Sequence, residues 1–169
     1  MKIHTTLREL EMNNRYLGSI GNDNYKSEFD FGVLTGSYST LDVLTSGNIP
    51  AYTGRTGQSS GVIEAIYFKI INAVPVGSMY IFGAPIDPPA QNAPRDFTAE
   101  QMDKFVGLIT LSSNEYRSTS DGYVVYKTID MPYVTQPDSN ALYIVFVISQ
   151  ADGYFATSKV TGHFILKRD

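Results

Sequence analysis

The sequence predicts an all-β protein: an antiparallel β-sandwich, either open or closed as a jelly roll, with one or two short helices and an N-terminal arm. Short runs of β-branched and aromatic residues recur along the chain, separated by clusters of turn-forming residues. Charged residues make up only 18%, below the roughly 25% of an average domain, while tyrosine (12) and phenylalanine (9) are plentiful. A chain of 169 residues is long enough for one domain with a full core.

The first 26 residues are predicted to form an arm, separate from a single sandwich domain over residues 27–169. The stretch NNRYLGSIGNDN is polar, rich in turn residues and without a clear strand pattern. Thr6 and Glu9 have the spacing of a capping box, which predicts a short helix within this arm.

Three segments of the first half of the domain are predicted to be strands. Residues 27–34, SEFDFGVL, alternate apolar and polar side chains, as a strand with one buried and one wet face does. Residues 61–73, GVIEAIYFKIINA, are long enough for a helix, but their β-branched and aromatic content favours a long strand. Residues 79–82 form the next strand. With Pro75 and Gly77 in the turn, the two segments are predicted to form a hairpin.

The middle of the chain combines a loop, a short helix and another strand. Residues 83–96, GAPIDPPAQNAPRD, contain four prolines and are predicted to be a long surface loop. Thr98 and Gln101 have capping-box spacing, so a helix of about two turns is predicted to start there and to run to Phe105. Residues 105–113, FVGLITLSS, are predicted to be a strand.

The last third of the chain carries three strand patterns separated by turn residues. DGYVVYKTIDM (121–131) opens with an Asp-Gly turn pair. ALYIVFVIS (141–149) is almost continuously apolar, which predicts a strand buried on both faces or at a sheet centre. SKVTGHFILKR (158–168) alternates loosely, and Gly162 is predicted to mark a bulge or a close approach of another chain segment. This spacing predicts an antiparallel sheet.

Composition excludes several classes of function. The chain has no cysteine, so disulfides and thiolate metal sites are excluded, and no cofactor or metal is predicted. The net charge is −4 and the basic residues form no long run, so no nucleic-acid partner is expected. The apolar runs are far shorter than the roughly 20 residues that span a bilayer, so no membrane partner is expected either. Without a signal-peptide pattern, synthesis in a cytoplasm is expected.

Three residues are candidates for binding a partner or ligand: Tyr52, Arg55 and Arg95. The first two lie in SGNIPAYTGRTGQSSG (46–61), which is predicted to be an inter-strand loop and a candidate contact loop. Large anchoring side chains among small adaptable ones are typical of binding loops. A phosphate-binding loop is excluded, because no lysine follows the glycines and the next segment reads as a strand. Arg95 lies in the proline-rich loop.

No catalytic residue is predicted, and the protein is not expected to be an enzyme. His4 lies in the arm, and His163 is predicted to lie on a strand surface, opposite Phe164; no nucleophile motif accompanies either histidine. Oxygen-rich turns such as QPDSN lack the spacing of a calcium loop. Five carboxylates on or near predicted strands could pair by chance in any β protein; they are Glu28, Asp30, Glu64, Glu115 and Asp130.

The overall character of the chain resembles tailed-bacteriophage virion accessory proteins, namely capsid decoration, head-fibre, collar and tail-fibre adaptor proteins. The resemblance consists of a polar N-terminal segment, MKIHTTLRELEMNNRYLGS, a β domain without cysteine or tryptophan, and loops rich in Gly, Ser, Thr and Asn. It implies a non-enzymatic structural component of a virion, assembled in the host cytoplasm. The implied partners are other virion proteins and further copies of the chain. No site residue follows from it.

Two other functions stay open on the sequence. A carbohydrate-binding β-sandwich module for host or glycan recognition would use the loop with Tyr52 and Arg55, or the proline-rich loop with Arg95. A glycan-cleaving enzyme would use a pair of carboxylates. The lack of tryptophan, which often stacks on sugars, and of an evident acid/base motif counts against the enzyme.

Overall fold

The computed structural model describes residues 24–34, 36–150 and 158–169. Nine strands dominate these residues, together with one short α-helix and one short 3₁₀ helix. In chain order the elements are β1 (Asn24–Val33), β2 (Ile49–Tyr52), β3 (Ser60–Ile70), β4 (Gly77–Phe82), α1 (Ala99–Met102), β5 (Phe105–Leu111), the 3₁₀ helix (Ser113–Glu115), β6 (Arg117–Thr119), β7 (Gly122–Val134), β8 (Ala141–Ile148) and β9 (Lys159–Arg168).

The strands form two sheets, so the predicted all-β, antiparallel sandwich is confirmed. The five-stranded sheet has the order β1-β9-β3-β7-β6, and the four-stranded sheet has the order β2-β8-β4-β5. Every pair of neighbouring strands is antiparallel. β1, at one edge of the first sheet, contacts β2, at one edge of the second.

The main core lies between the two sheets and is rich in aromatic rings. Phe31 on β1 packs against Phe68 on β3 and against Phe146 on β8, with ring centroids 5.7 and 6.3 Å apart. Phe68 and Phe146 stack at 5.9 Å and thereby join the two sheets. β1 alternates as predicted, because Phe29 and Phe31 are buried while Glu28 is exposed.

β8 is buried on both faces, as its apolar run predicts. Leu142, Ile144 and Phe146 point into the main core. Val145 and Val147 belong to a second cluster, on the outer face of the four-stranded sheet. The outer side of β8 is therefore covered by other parts of the chain instead of by water.

The proline-rich segment 83–96 supplies much of that cover. It is irregular, as predicted, apart from one isolated bridge between Asp42 and Pro94. Ile86 is buried in the second cluster, together with Val43 and Phe82. Asn48 fixes the segment, because its side chain donates to the Ile86 carbonyl (2.6 Å) and accepts from the Ile86 amide (3.1 Å). The segment is thus a structural layer and not merely a surface loop.

The predicted hairpin between residues 61–73 and 79–82 is wrong. Both segments are strands, but β3 belongs to the five-stranded sheet and β4 to the four-stranded sheet. Each already has a partner on both sides, β7 and β9 for β3 and β5 and β8 for β4. Residues 71–76, with Asn72 at a φ of 81° and Pro75, therefore carry the chain from one sheet to the other. The three C-terminal strands likewise do not pair in sequence, since β8 lies in the other sheet from β7 and β9.

Two boundaries and one loop also differ from the predictions. Thr98 and Gln101 form the predicted capping box, but α1 ends at Met102, and Phe105 already begins β5. The loop predicted over residues 46–61 contains β2, an edge strand in which Pro50 removes no inner ladder bond. β1 begins at Asn24, before the predicted domain boundary at Ser27. The rest of the predicted arm, with Thr6 and Glu9, lies outside the described residues.

Candidate functional site

A cleft of about 640 Å³ lies along β1, where the edges of the two sheets meet. We call it the β1–β2 cleft. β1, β9 and β3 of one sheet and β2 of the other contribute to it. Its lining combines aromatic rings with charged and hydroxyl side chains: Lys26, Glu28, Phe29, Asp30, Pro50, Tyr52, Tyr67, Thr161, Gly162 and His163.

Strand register brings the polar and aromatic groups of this cleft together. Glu28 on β1 lies opposite His163 on β9, and His163 lies opposite Tyr67 on β3. The Tyr67 and His163 rings stack, with centroids 5.0 Å apart and planes 19° apart. Asp30 lies opposite Thr161, one step further along the same face. Residues far apart in sequence therefore form adjacent rows on one rigid surface.

Ion pairs balance the carboxylates along the cleft. Lys26 Nζ lies 2.6 Å from Glu28 Oε1, and Lys159 Nζ lies 3.7 Å from Asp30 Oδ2. The hydrogen bond and the charge of Lys26 lower the pKa of Glu28. Partial burial, assisted by the charge of Lys26, lowers the pKa of His163, while Glu28 opposes this shift. His163 therefore favours its neutral form.

The floor of the cleft depends on Gly162. A Cβ atom at this position would lie 2.5 Å from Phe29 Cζ and 2.6 Å from the Tyr67 carbonyl oxygen. The predicted close approach is confirmed; β9 keeps its register there, opposite Phe29 and Phe68, so no bulge is present.

The structure does not gather the three predicted binding residues into one site. Tyr52 lines the β1–β2 cleft, and this residue is 54% exposed. Arg55 lines a different, smaller hollow, with Gln58 and Ser59 among its neighbours. Arg95 lies against Tyr80 of the four-stranded sheet.

Arg95 has a structural role that the sequence did not reveal. Its guanidinium carbon lies 5.3 Å from the centre of the Tyr80 ring, and its Nη1 donates a hydrogen bond to the Tyr80 hydroxyl. Its backbone amide donates to the Leu41 carbonyl at 2.8 Å. Arg95 thus ties the proline-rich segment to the sheet.

The other candidates have separate environments. His163 lies on the strand surface opposite buried Phe164, as predicted. Partial burial raises the pKa of Glu115, but hydrogen bonds from Lys127 (2.7 Å) and from the Ser112 amide outweigh this effect, so its pKa lies below the ordinary value. Glu28 and Asp30 share the exposed face of β1, where lysines pair with them.

Most residues of the cleft were not predicted from the sequence. Lys26, Tyr67 and Thr161 were not singled out, and His163 was assigned no binding role. The alternation along β3 and β9 was the available signal, because it places Tyr67 and His163 on the outer face of their strands. The sequence does not show which strands lie next to each other in a sheet.

Within residues 24–34, 36–150 and 158–169, no three histidine, aspartate or glutamate side chains are grouped to hold a metal ion. The single α-helix of this part of the chain is too short to cross a membrane. Comparison of the sequence with protein-family models and curated proteins, and of the structure with solved structures, finds no match.

Proposed function

We propose that this protein is a non-enzymatic structural component of a bacteriophage virion, a decoration, fibre or adaptor protein that acts through protein–protein contacts. The observation that carries the proposal is the strand order, which supports a jelly-roll arrangement. Jelly rolls are the double-sheet architecture of viral capsid domains and of lectin domains.

The jelly-roll inference follows from which strands pair. With β6 set aside, eight strands remain, and the chain pairs first with last: β1 with β9, β2 with β8, β3 with β7, and β4 with β5. The eight strands therefore follow the path of one long antiparallel hairpin, and successive strand pairs of this hairpin lie alternately in the five-stranded and the four-stranded sheet. β9 then lies beside β3, and β8 beside β4, which closes the two Greek keys.

A fold alone does not specify a function, so the surface matters as well. β7 pairs with β6 only over Gly122–Val124, and the rest of β7 has β3 as its strand partner. At this edge, which we call the β5–β7 side, Tyr126 and Val134 face outwards from the five-stranded sheet, and Leu108 of neighbouring β5 faces outwards from the four-stranded sheet; all three are exposed. An open strand edge with exposed apolar side chains favours contact with another protein chain.

The proposal is tested by the mass of the full-length protein in solution, measured by light scattering at several concentrations. We expect a stable trimer or a larger closed ring, because virion accessory proteins occupy symmetric sites. Val134→Asp should reduce the mass to that of a monomer if the β5–β7 side carries the contact. A wild-type monomer at every concentration would count against the proposal.

The second candidate function, carbohydrate binding, is favoured by a different observation. The β1–β2 cleft presents stacked aromatic rings beside carboxylate, ammonium and hydroxyl groups. Such a mixture suits a ligand with both C–H faces and many hydroxyls. A virion fibre or adaptor that recognises a host surface would combine both functions.

A further inference from the structure

We infer that the β1–β2 cleft binds a neutral oligosaccharide, with Tyr52 and the Tyr67–His163 pair as its stacking surfaces. The inference rests on the carbohydrate-binding candidate function and assigns its site, its ligand charge and its contact residues. Neither the arginine of the glycine-rich loop nor that of the proline-rich loop belongs to this site.

The aromatic groups of the cleft are exposed Tyr52 and the half-buried, stacked pair of Tyr67 and His163. Tyr67 is stacked on His163 at 5.0 Å, so its ring orientation is fixed before any ligand arrives. Tyr52 reaches the same cleft from the edge of the other sheet. Aromatic faces carry partial negative charge and attract the weakly positive C–H groups of a sugar ring. Two such faces from two sheets give the ligand a defined orientation.

The polar groups match hydroxyls. Ionised Glu28 and Asp30 accept hydrogen bonds, Lys26 donates them, and the Thr161 hydroxyl does both. Sugar hydroxyls also donate and accept, so all four side chains can pair with them. Charge-assisted hydrogen bonds of this kind are stronger than neutral ones and give specificity.

The charge balance selects a neutral ligand. Each carboxylate of the cleft has an ammonium partner, Lys26 for Glu28 at 2.6 Å and Lys159 for Asp30 at 3.7 Å. An acidic sugar would meet Glu28 and Asp30, whereas a cationic ligand would meet Lys26 in the cleft and Lys159 beside it. Neither class gains a net attraction, while a neutral sugar keeps both ion pairs intact.

The size and rigidity of the cleft also fit a short oligosaccharide. Its volume of about 640 Å³ lies within the roughly 300–1,000 Å³ range of small-molecule sites. Its ligating side chains lie on strands, which hold them more precisely than loops do. A site on paired strands needs little reordering when the ligand binds.

The first test is a glycan array probed with the full-length protein. The array carries neutral oligomers of glucose, galactose, mannose and N-acetylhexosamines, beside sialylated, uronic-acid and phosphorylated glycans. We expect binding to one class of neutral oligosaccharide. Binding to none of the glycans, or only to the acidic ones, would overturn the inference.

The second test locates the site by calorimetric titration with the best neutral glycan. Tyr52→Ala and Tyr67→Ala should each weaken binding about tenfold or more, while Tyr67→Phe retains it. Met102→Ala is the control, since Met102 is an exposed apolar side chain on α1, outside the cleft lining. Equal losses in Tyr52→Ala and Met102→Ala, or none in Tyr52→Ala, would place the sugar elsewhere.

The failure of this inference is distinguishable from the failure of the virion proposal. The virion proposal is tested by the mass of the protein in solution. That result does not depend on whether the protein binds any glycan on the array. A monomer that binds neutral glycans would overturn the virion proposal alone, and a closed ring that binds none would overturn the saccharide site alone.

Discussion

Gly162 shows how a single missing side chain supports both packing and the cleft. Its Cα faces the Phe29 ring, and Phe29 stacks with Phe31 and packs against Phe164 in the core. We expect Gly162→Ala to lower the free energy of unfolding by about 3 kcal/mol, because the added methyl group meets a ring and a backbone oxygen. Urea unfolding followed by circular dichroism measures this change.

A second glycine separates steric overlap from backbone strain. Gly47 has a φ of 68°, but nothing lies within 4 Å of a Cβ atom there. Gly47→Ala should therefore cost only the left-handed backbone penalty, about 1–2 kcal/mol. If Gly162→Ala proved no more destabilising than Gly47→Ala, the close approach to Phe29 would not be the reason for the glycine.

His163 makes stability depend on pH in a defined direction. Its pKa in the folded state lies below the ordinary 6.5, chiefly because of burial. The unfolded chain therefore binds more protons as the pH falls through 6.5, and stability decreases on acidification. Glu28, whose pKa is also lowered, loses its contribution only below its ordinary value of 4.5. A comparison between pH 7.5 and pH 5.5 thus isolates the histidine.

The measurement is urea unfolding of the wild type and of His163→Gln at both pH values. The wild type should lose more stability than the variant between pH 7.5 and 5.5. His4 is present in both proteins, so its titration cancels in the difference. An identical pH dependence in the two proteins would show that His163 titrates as it does in the unfolded chain.

The positions of the strands were more predictable from the sequence than the pairing between them. The alternation of β1 and the apolar run of β8 each follow from local side-chain period and burial, which a sequence displays directly. The connection from β3 to β4 looked like a hairpin turn, because the same turn residues serve a hairpin and a crossing between sheets. β2, with four residues including Pro50, is too short to give a periodic signal.

The proline-rich segment is the element whose role the sequence concealed most. Proline excludes a ladder but does not exclude burial, and Ile86 lies at 5% exposure against the outer face of the four-stranded sheet. Ile86→Ala should lower the free energy of unfolding by about 2–4 kcal/mol through the cavity it leaves. Leu108→Ala, at a half-exposed residue of β5, is the control and should cost less than about 1 kcal/mol. Equal losses of unfolding free energy in Ile86→Ala and Leu108→Ala would mean that the proline-rich segment packs loosely on the sheet.

For the whole molecule, the predictability of the site was limited by topology. Tyr52 was found because it is a large side chain in a glycine-rich stretch. Tyr67 and His163 are 96 positions apart in the numbering and meet only because β9 inserts between β1 and β3. Arg55, in the same glycine-rich stretch, and Arg95, in the proline-rich segment, were predicted together with Tyr52, yet they lie at other surfaces. Local composition therefore identified binding-type residues without indicating which of them converge.

The β1–β2 cleft extends from the β1 and β2 edges to Tyr67 on β3, whereas Val134 lies on β7 outside the cleft lining, so substitutions at Tyr52 and Val134 should separate the two proposed functions. Tyr52→Ala should weaken glycan binding while leaving the mass in solution unchanged and the thermal midpoint within about 2 °C of the wild type. Val134→Asp should do the reverse, with dissociation into monomers and unchanged glycan affinity per protomer. Light scattering and calorimetry on the same samples measure both. If Tyr52→Ala instead dissociated the oligomer, a second copy of the chain would cover the cleft, and that surface would serve assembly and not sugar recognition.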